Sequence, residues 1–169
     1  MSKCGMSTAP GVAQASRAAP RVPGDWLLHP LPLGAALVLA LNDRVLKAAY
    51  GTWWTGKLSD VTGLLFFPWF LLSVWEIARW ALRRRWQAEP SALSAAIAFT
   101  LVVFSAINVS DAAGALYEAW LRQVWSALAG SESCLFPGRV RHTVDPTDLL
   151  ALPALWVPWR LGLRRIQGS

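Results

Sequence analysis

Eight polar side chains fall at the ends of apolar runs: Asn42, Asp43, Lys57, Asp60, Asn108, Asp111, Asp145 and Asp148. Gathered into one pocket, such carboxylates and amides could bind a cation, an amine or a lipid headgroup, or move a proton for a membrane-embedded reaction. Arg44 and His142 lie close enough in sequence to join them. His142, Asp145 and Asp148 form HxxDxxD. That spacing offers oxygen and nitrogen donors, but three scattered ligands do not define a metal site, and neither a metal nor a cofactor is expected. The chain carries no nucleophile elbow, phosphate loop, HExxH or haem motif, so no catalytic residue is assigned.

Helix capping competes with a shared pocket as the account of these acids. A helix start leaves backbone N–H groups unpaired, and an Asp or Ser there accepts from them while its charge opposes the helix dipole. Asp25, Asp60 and Ser91 each precede an apolar run, and Asp145-Pro146-Thr147-Asp148 resembles a capping box with proline at the first helical position. Two further groups lie inside the runs. His29 is read as an interfacial hydrogen-bonding residue, and Glu76 as the partner of Arg79, one helical turn away.

The composition says what must position these groups. Of the 169 residues, 54% are hydrophobic and only 15% charged, 11 are tryptophan, and Lys+Arg outnumber Asp+Glu by 16 to 10. The basic residues sit in small clusters between apolar runs, the membrane pattern rather than a nucleic-acid surface. Cys4 and Cys134 show no metal-binding spacing and read as two unpaired thiols.

Residues 1–24, rich in Ala, Pro, Ser and Gly, read as a disordered cytoplasmic tail. Residues 25–165 then form one membrane domain with spans over about 26–42, 61–80, 91–109 and 147–163. The first apolar run also has signal-peptide features, with Val38-Leu39-Ala40 as a small-residue site, but its long leading segment favours an anchored helix. Pro153 and Pro158 are expected to kink the fourth span, and Arg160 to snorkel. Between the third and fourth spans, residues 111–129 place Ala113, Leu116, Tyr117, Trp120, Leu121, Val124, Trp125 and Leu128 on one helical face. The fold class is therefore all-α, a four-helix transmembrane bundle with an additional amphipathic interfacial helix.

Ten of the sixteen basic residues, including Arg83, Arg84, Arg85, Arg164 and Arg165, fall on one side of this topology. That side is cytoplasmic by the positive-inside rule, so both termini are inside and the eight polar groups face out. Trp26, Trp53, Trp54, Trp80, Trp86 and Trp159 fall near span ends, as interfacial anchors do. The order of parts recurs, an Asn/Asp-ended span, a Trp-bearing connector and a proline-containing span, which suggests two like-oriented hairpins.

Gly56, Leu58, Ser59, Asp60 and Gly63 fit GxLSDxxG, which resembles the loop signature of major facilitator transporters. Val61, Leu64 and Leu65 stand where that family carries basic residues, and the charge pattern puts the motif on the opposite side of the membrane. Over residues 42–153, NDxxLK…TGKLSDxxGLxFFP…DPTDLLALP is similar to uncharacterised small polytopic membrane proteins of bacteria. This resemblance implies a bacterial inner-membrane location and no activity. The expectation is a structural or accessory membrane component without chemistry of its own. Its partners would be the lipid bilayer and another membrane protein or a second copy of the chain, with no nucleic acid. A small transporter or channel subunit using the acidic cluster is the first alternative, and an enzyme acting on a lipid or cell-wall precursor the second. A face of small residues, Ser94, Ala95, Ala98 and Ser105, is suited to a partner helix.

Overall fold

A computed structural model describes residues 22–82, 89–129 and 143–168. Arg83, Arg84, Arg85 and Trp86, and Cys134, Arg139, Arg141 and His142, lie outside the described residues, as do Cys4 and most of the expected tail. Residues 22–24 of that tail belong to the fold, because Gly24 is bonded to Glu76.

The described fold is all-α. A 3-10 turn, Asp25–Leu28, leads into α1 (Pro30–Leu41), a π-helical turn at Asn42–Leu46 and a closing turn α2 (Lys47–Ala49). His29 starts α1 as an N-cap, its Nδ1 accepting from the Leu31 amide at 3.2 Å with Pro30 next in the chain. Gly51 at φ 50° reverses the chain into α3 (Trp53–Ala81), which packs antiparallel along α1. After α4 (Pro90–Val109), Ser110 is extended and begins α5 (Asp111–Ala129), its hydroxyl accepting from Ala113 N at 3.4 Å and its carbonyl from Gly114 N at 2.9 Å. A 3-10 segment, Pro146–Leu155, then runs into α6 (Trp156–Gln167).

Helices α3 and α4 are each long and apolar enough to cross a membrane. They contain the second and third expected spans. The first and fourth expected spans are not single long α-helices. Asn42 sits where α1 widens into its π turn, which carries the side chain to full burial while Asp43 beside it stays exposed. The fourth segment is 3-10 for ten residues. Pro153 has no N–H to donate, and its ring would crowd the carbonyl of Leu149 in an α-helix, so the chain winds tighter instead of kinking.

Two apolar clusters hold these elements together. Trp26, Trp69, Leu72 and Leu93 pack at one end, where α6 lies against α3 and α4. A Cβ on Gly162 would stand 2.5 Å from Leu93 Cδ2, so glycine is what lets α6 approach α4 this closely. Toward the other end, Leu64, Ala151 and Leu155 join the 3-10 segment to α3. Along α5, Ala113, Tyr117, Leu121 and Val124 are half-buried and Gly114 is buried, while Leu116 and Trp120 are exposed. The side chains of Trp125 and Leu128 lie outside the described residues.

Candidate functional site

Asp60 lies two turns inside α3, not at its start. The helix begins at Trp53 after an extended Thr52, so the amides following Asp60 already have carbonyl partners and the capping account of Asp60 fails. Asp25 and Ser91 cap nothing either. Gly24 precedes the 3-10 turn, and Asp25 Oδ2 accepts from Arg165 Nη2 at 3.0 Å. Glu89 precedes α4, without a side-chain cap bond. Asp145 is a cap, its Oδ1 accepting from Thr147 N at 2.9 Å and Thr147 Oγ1 at 2.7 Å. Those two bonds hold its carboxyl below the usual carboxylate range.

Most of the eight expected residues converge at the end of the bundle where α3 begins. Lys57 donates to Asp148 and, at 2.7 Å, to Thr147 Oγ1, and lies 3.8 Å from Asp145 Oδ2. Its Nζ also stands 5.4 Å from the centre of the Trp53 ring. The side chains of Lys57 and Asp148 are only 13% and 15% exposed, so this pair is a half-desolvated tie between α3 and the 3-10 segment rather than a surface ion pair. Asp148 also has the carboxyl of Asp60 within hydrogen-bonding reach.

A second chain of bonds ties in α1. Asn42 Nδ2 donates to the Thr55 carbonyl at 2.7 Å and to Ser59 Oγ at 2.8 Å. Ser59 Oγ in turn donates to Asp43 Oδ1 at 2.8 Å, and Lys47 Nζ reaches the same oxygen at 2.7 Å. Ser59 and Asp60 are neighbours, so the two networks meet on one turn of α3. Asn108, 1% exposed near the end of α4, lines a cavity of about 380 Å³ together with Ser59 and Asp60. Its Nδ2 donates to the Phe104 carbonyl at 2.9 Å, whereas its Oδ1 has no partner. Asp111 does not join; it opens α5 and is exposed. Arg44 is exposed as well, and His142 lies outside the described residues. Among the described residues, no three His, Cys, Asp or Glu side chains are grouped to hold a metal ion.

Thr55, Ser59 and Thr147 are partners in this network beyond the eight expected residues. Ser59 lies in GxLSDxxG and Thr147 in the Asp145–Asp148 capping box, so both stand inside motifs whose spacing points to other roles. Glu76 is not paired with Arg79 as expected. The glutamate, 2% exposed, accepts from Trp26 Nε1 at 2.6 Å and from Gly24 N at 3.1 Å, while Arg79 lies 3.3 Å from Glu89 Oε1. His29, beyond capping α1, stacks on Trp69 with ring centres 5.7 Å apart and planes 4° from parallel.

Comparison with known proteins returns no matching family model, no matching curated sequence and no matching solved structure.

Proposed function

We propose that this chain is an integral membrane protein that crosses the bilayer four times, with α5 at the interface, and acts as a structural or accessory component without catalysis. One observation carries the reading: the exposure pattern is inverted relative to a soluble domain. Asn42, Ser73, Glu76, Thr100 and Asn108 are buried, while Leu37 is 62%, Val102 64% and Trp156 56% exposed. Only 22% of the most apolar stretch of α4, and 39% of that of α3, is covered by the rest of the chain. A soluble protein rarely leaves that much contiguous apolar surface in water. A bilayer removes the cost.

The lengths agree with four crossings. Helix α3, at 1.5 Å per residue, is about 43 Å long against a hydrocarbon core of about 30 Å. The 3-10 rise of about 2.0 Å per residue lengthens Pro146–Gln167 to about 38 Å, more than a regular α-helix of that many residues would give. The path Pro30–Ala49 reaches about 30 Å. The non-catalytic reading rests on how the polar side chains are used. Lys57, Asp148, Ser59, Asp43 and Glu76 are each engaged in bonds that join separate elements, and of Asp60 and Asp148 only Asp60 lines the cavity. The exposed Ser94, Ala95 and Ala98 on α4 leave room for a partner helix.

Membrane fractionation with single-cysteine labelling tests the proposal. With Cys4 and Cys134 replaced by serine, the chain should resist alkaline carbonate extraction. Lys47→Cys should label in intact cells and Arg164→Cys only after permeabilisation. Release by carbonate would contradict membrane integration, and labelling of both sites from outside would contradict four crossings.

A further inference from the structure

Among the described residues, the cavity beside Asp60 is where an unpartnered buried acceptor and a carboxyl line the same open space. It lies between α3, α4 and α5, with Asp60 and the unpartnered Asn108 Oδ1 on its polar side and Phe67, Phe104, Trp120 and Leu121 on its apolar side. A buried carbonyl oxygen without a donor is costly, by more than a made hydrogen bond returns. Its counterpart on the ligand must therefore donate. Charge gives the same answer. Asp60, Asp145 and Asp148 lie around Lys57, which is already directed at Asp148 and Thr147, and the second cation that acts on Asp60, Lys47, is paired with Asp43. An anion would be repelled, whereas an ammonium can take the place of the proton that lies between the Asp60 and Asp148 carboxyls.

We propose that this cavity binds a primary ammonium group carried on an apolar body, with the N–H groups donating to the Asp60 carboxylate and to Asn108 Oδ1. The aromatic walls suit both the apolar part and a nearby cation. At about 380 Å³ the cavity is at the small end of ligand sites, enough for an amine headgroup and the first carbons of its chain. Two sources share this chemistry: an ethanolamine phospholipid and a free hydrophobic amine. Asp60 lies about 10 Å along α3 from Trp53, which in a centred helix is about 4 Å inside the hydrocarbon boundary, so a lipid headgroup reaches it by dipping less than one helical turn. The lipid source rests on the membrane reading above; the ammonium chemistry does not.

The test uses the full chain in phosphatidylcholine nanodiscs containing a minor fraction of phosphatidylethanolamine, with native mass spectrometry of what stays bound after release. Choline cannot donate a hydrogen bond, so the two lipids differ in the feature that matters. The ethanolamine lipid should be retained at least tenfold over its choline counterpart, and octylamine, but not octanol, should displace it. Octylamine bound without any preference for the ethanolamine lipid would assign the site to a free amine. Asp60→Asn and Asn108→Leu should each weaken retention about tenfold. Equal retention of both lipids with equal effects of octylamine and octanol would overturn the proposal, and this comparison needs no variant to fold. Retention unchanged in Asp60→Asn would overturn it too. Failure here with carbonate resistance intact would leave the membrane reading standing, and the converse result would separate them equally well.

Discussion

At one end of the bundle Glu76 is enclosed by Trp26, Gly24 and Ser73, under a layer in which His29 stacks on Trp69. At the other, Lys57 lies among Asp148, Asp145 and Thr147 beside the cavity lined by Asp60 and Asn108. Both ends bury charge, but they satisfy it differently. The two oxygens of Glu76 each receive one N–H from a segment about fifty positions away in the chain, so the carboxylate acts as a rivet for the start of the fold. The Lys57 end has more acceptors than donors, and Asn42 Oδ1 and Asn108 Oδ1 are both left over. A rivet with matched donors holds structure; a surplus of acceptors is what a donor ligand can use.

The comparison is most easily broken at Glu76. Glu76→Ala strands two buried N–H donors and should cost about 3 kcal/mol, measured by denaturant titration in micelles. Glu76→Gln should cost less, because it keeps one acceptor while turning a donor toward the other N–H. A loss below about 0.5 kcal/mol for Glu76→Ala would mean the rivet carries no stability.

Lys57→Met should lower stability by a smaller amount and free the 3-10 segment from α3, read as faster hydrogen exchange over residues 146–155. Adding Asp148→Leu to Lys57→Met should recover part of the loss, because it removes the carboxylate left without its cation. Full additivity of the two substitutions would show that they do not act as a pair. Acid should act more weakly at the same end. Thr147 holds the Asp145 carboxyl below its ordinary value, so its contribution is present above the unfolded carboxylate pKa and is lost as pH falls through the lower folded value. Exchange over residues 146–155 should therefore rise only in strong acid, and Asp145→Asn should remove that step.

Asp60→Asn should have the smallest effect on stability, within about 0.5 kcal/mol, because Asp60 caps nothing and the new amide can donate to Asp148. A loss near 1 kcal/mol would show that Asp60 holds the fold through Asp148 as well as lining the cavity.

The apolar runs at α3, α4 and α5 were legible because hydrophobic length and helical periodicity are local properties, and residues 91–109 and 111–129 agree closely with Pro90–Val109 and Asp111–Ala129. The winding of Pro146–Leu155 was not legible, since a proline announces a break in an α-helix without saying whether a kink or a tighter helix replaces it. The convergence of Lys57, Asp60 and Asp148 was legible as a possibility, from their place at run ends. Their roles were not, because Asp60 lies at the edge of an apolar run that begins two turns after its helix does. Trp53, Trp54, Thr55 and Lys57 hide the true helix start from a hydropathy reading. Glu76 was misassigned for a related reason. The nearby Arg79 is visible in sequence, whereas the Trp26 indole reaches Glu76 only once the chain has folded.

The inverted exposure of the helices is the central claim, and spin labels test it most directly. With the full chain in bilayers, nitroxides at Leu37 and Val102 should collide more often with dissolved oxygen, which concentrates in lipid, than with a water-soluble nickel chelate, while one at Lys47 should show the reverse. Nickel-dominated collisions at Leu37 and Val102 would place those side chains in water and contradict the account.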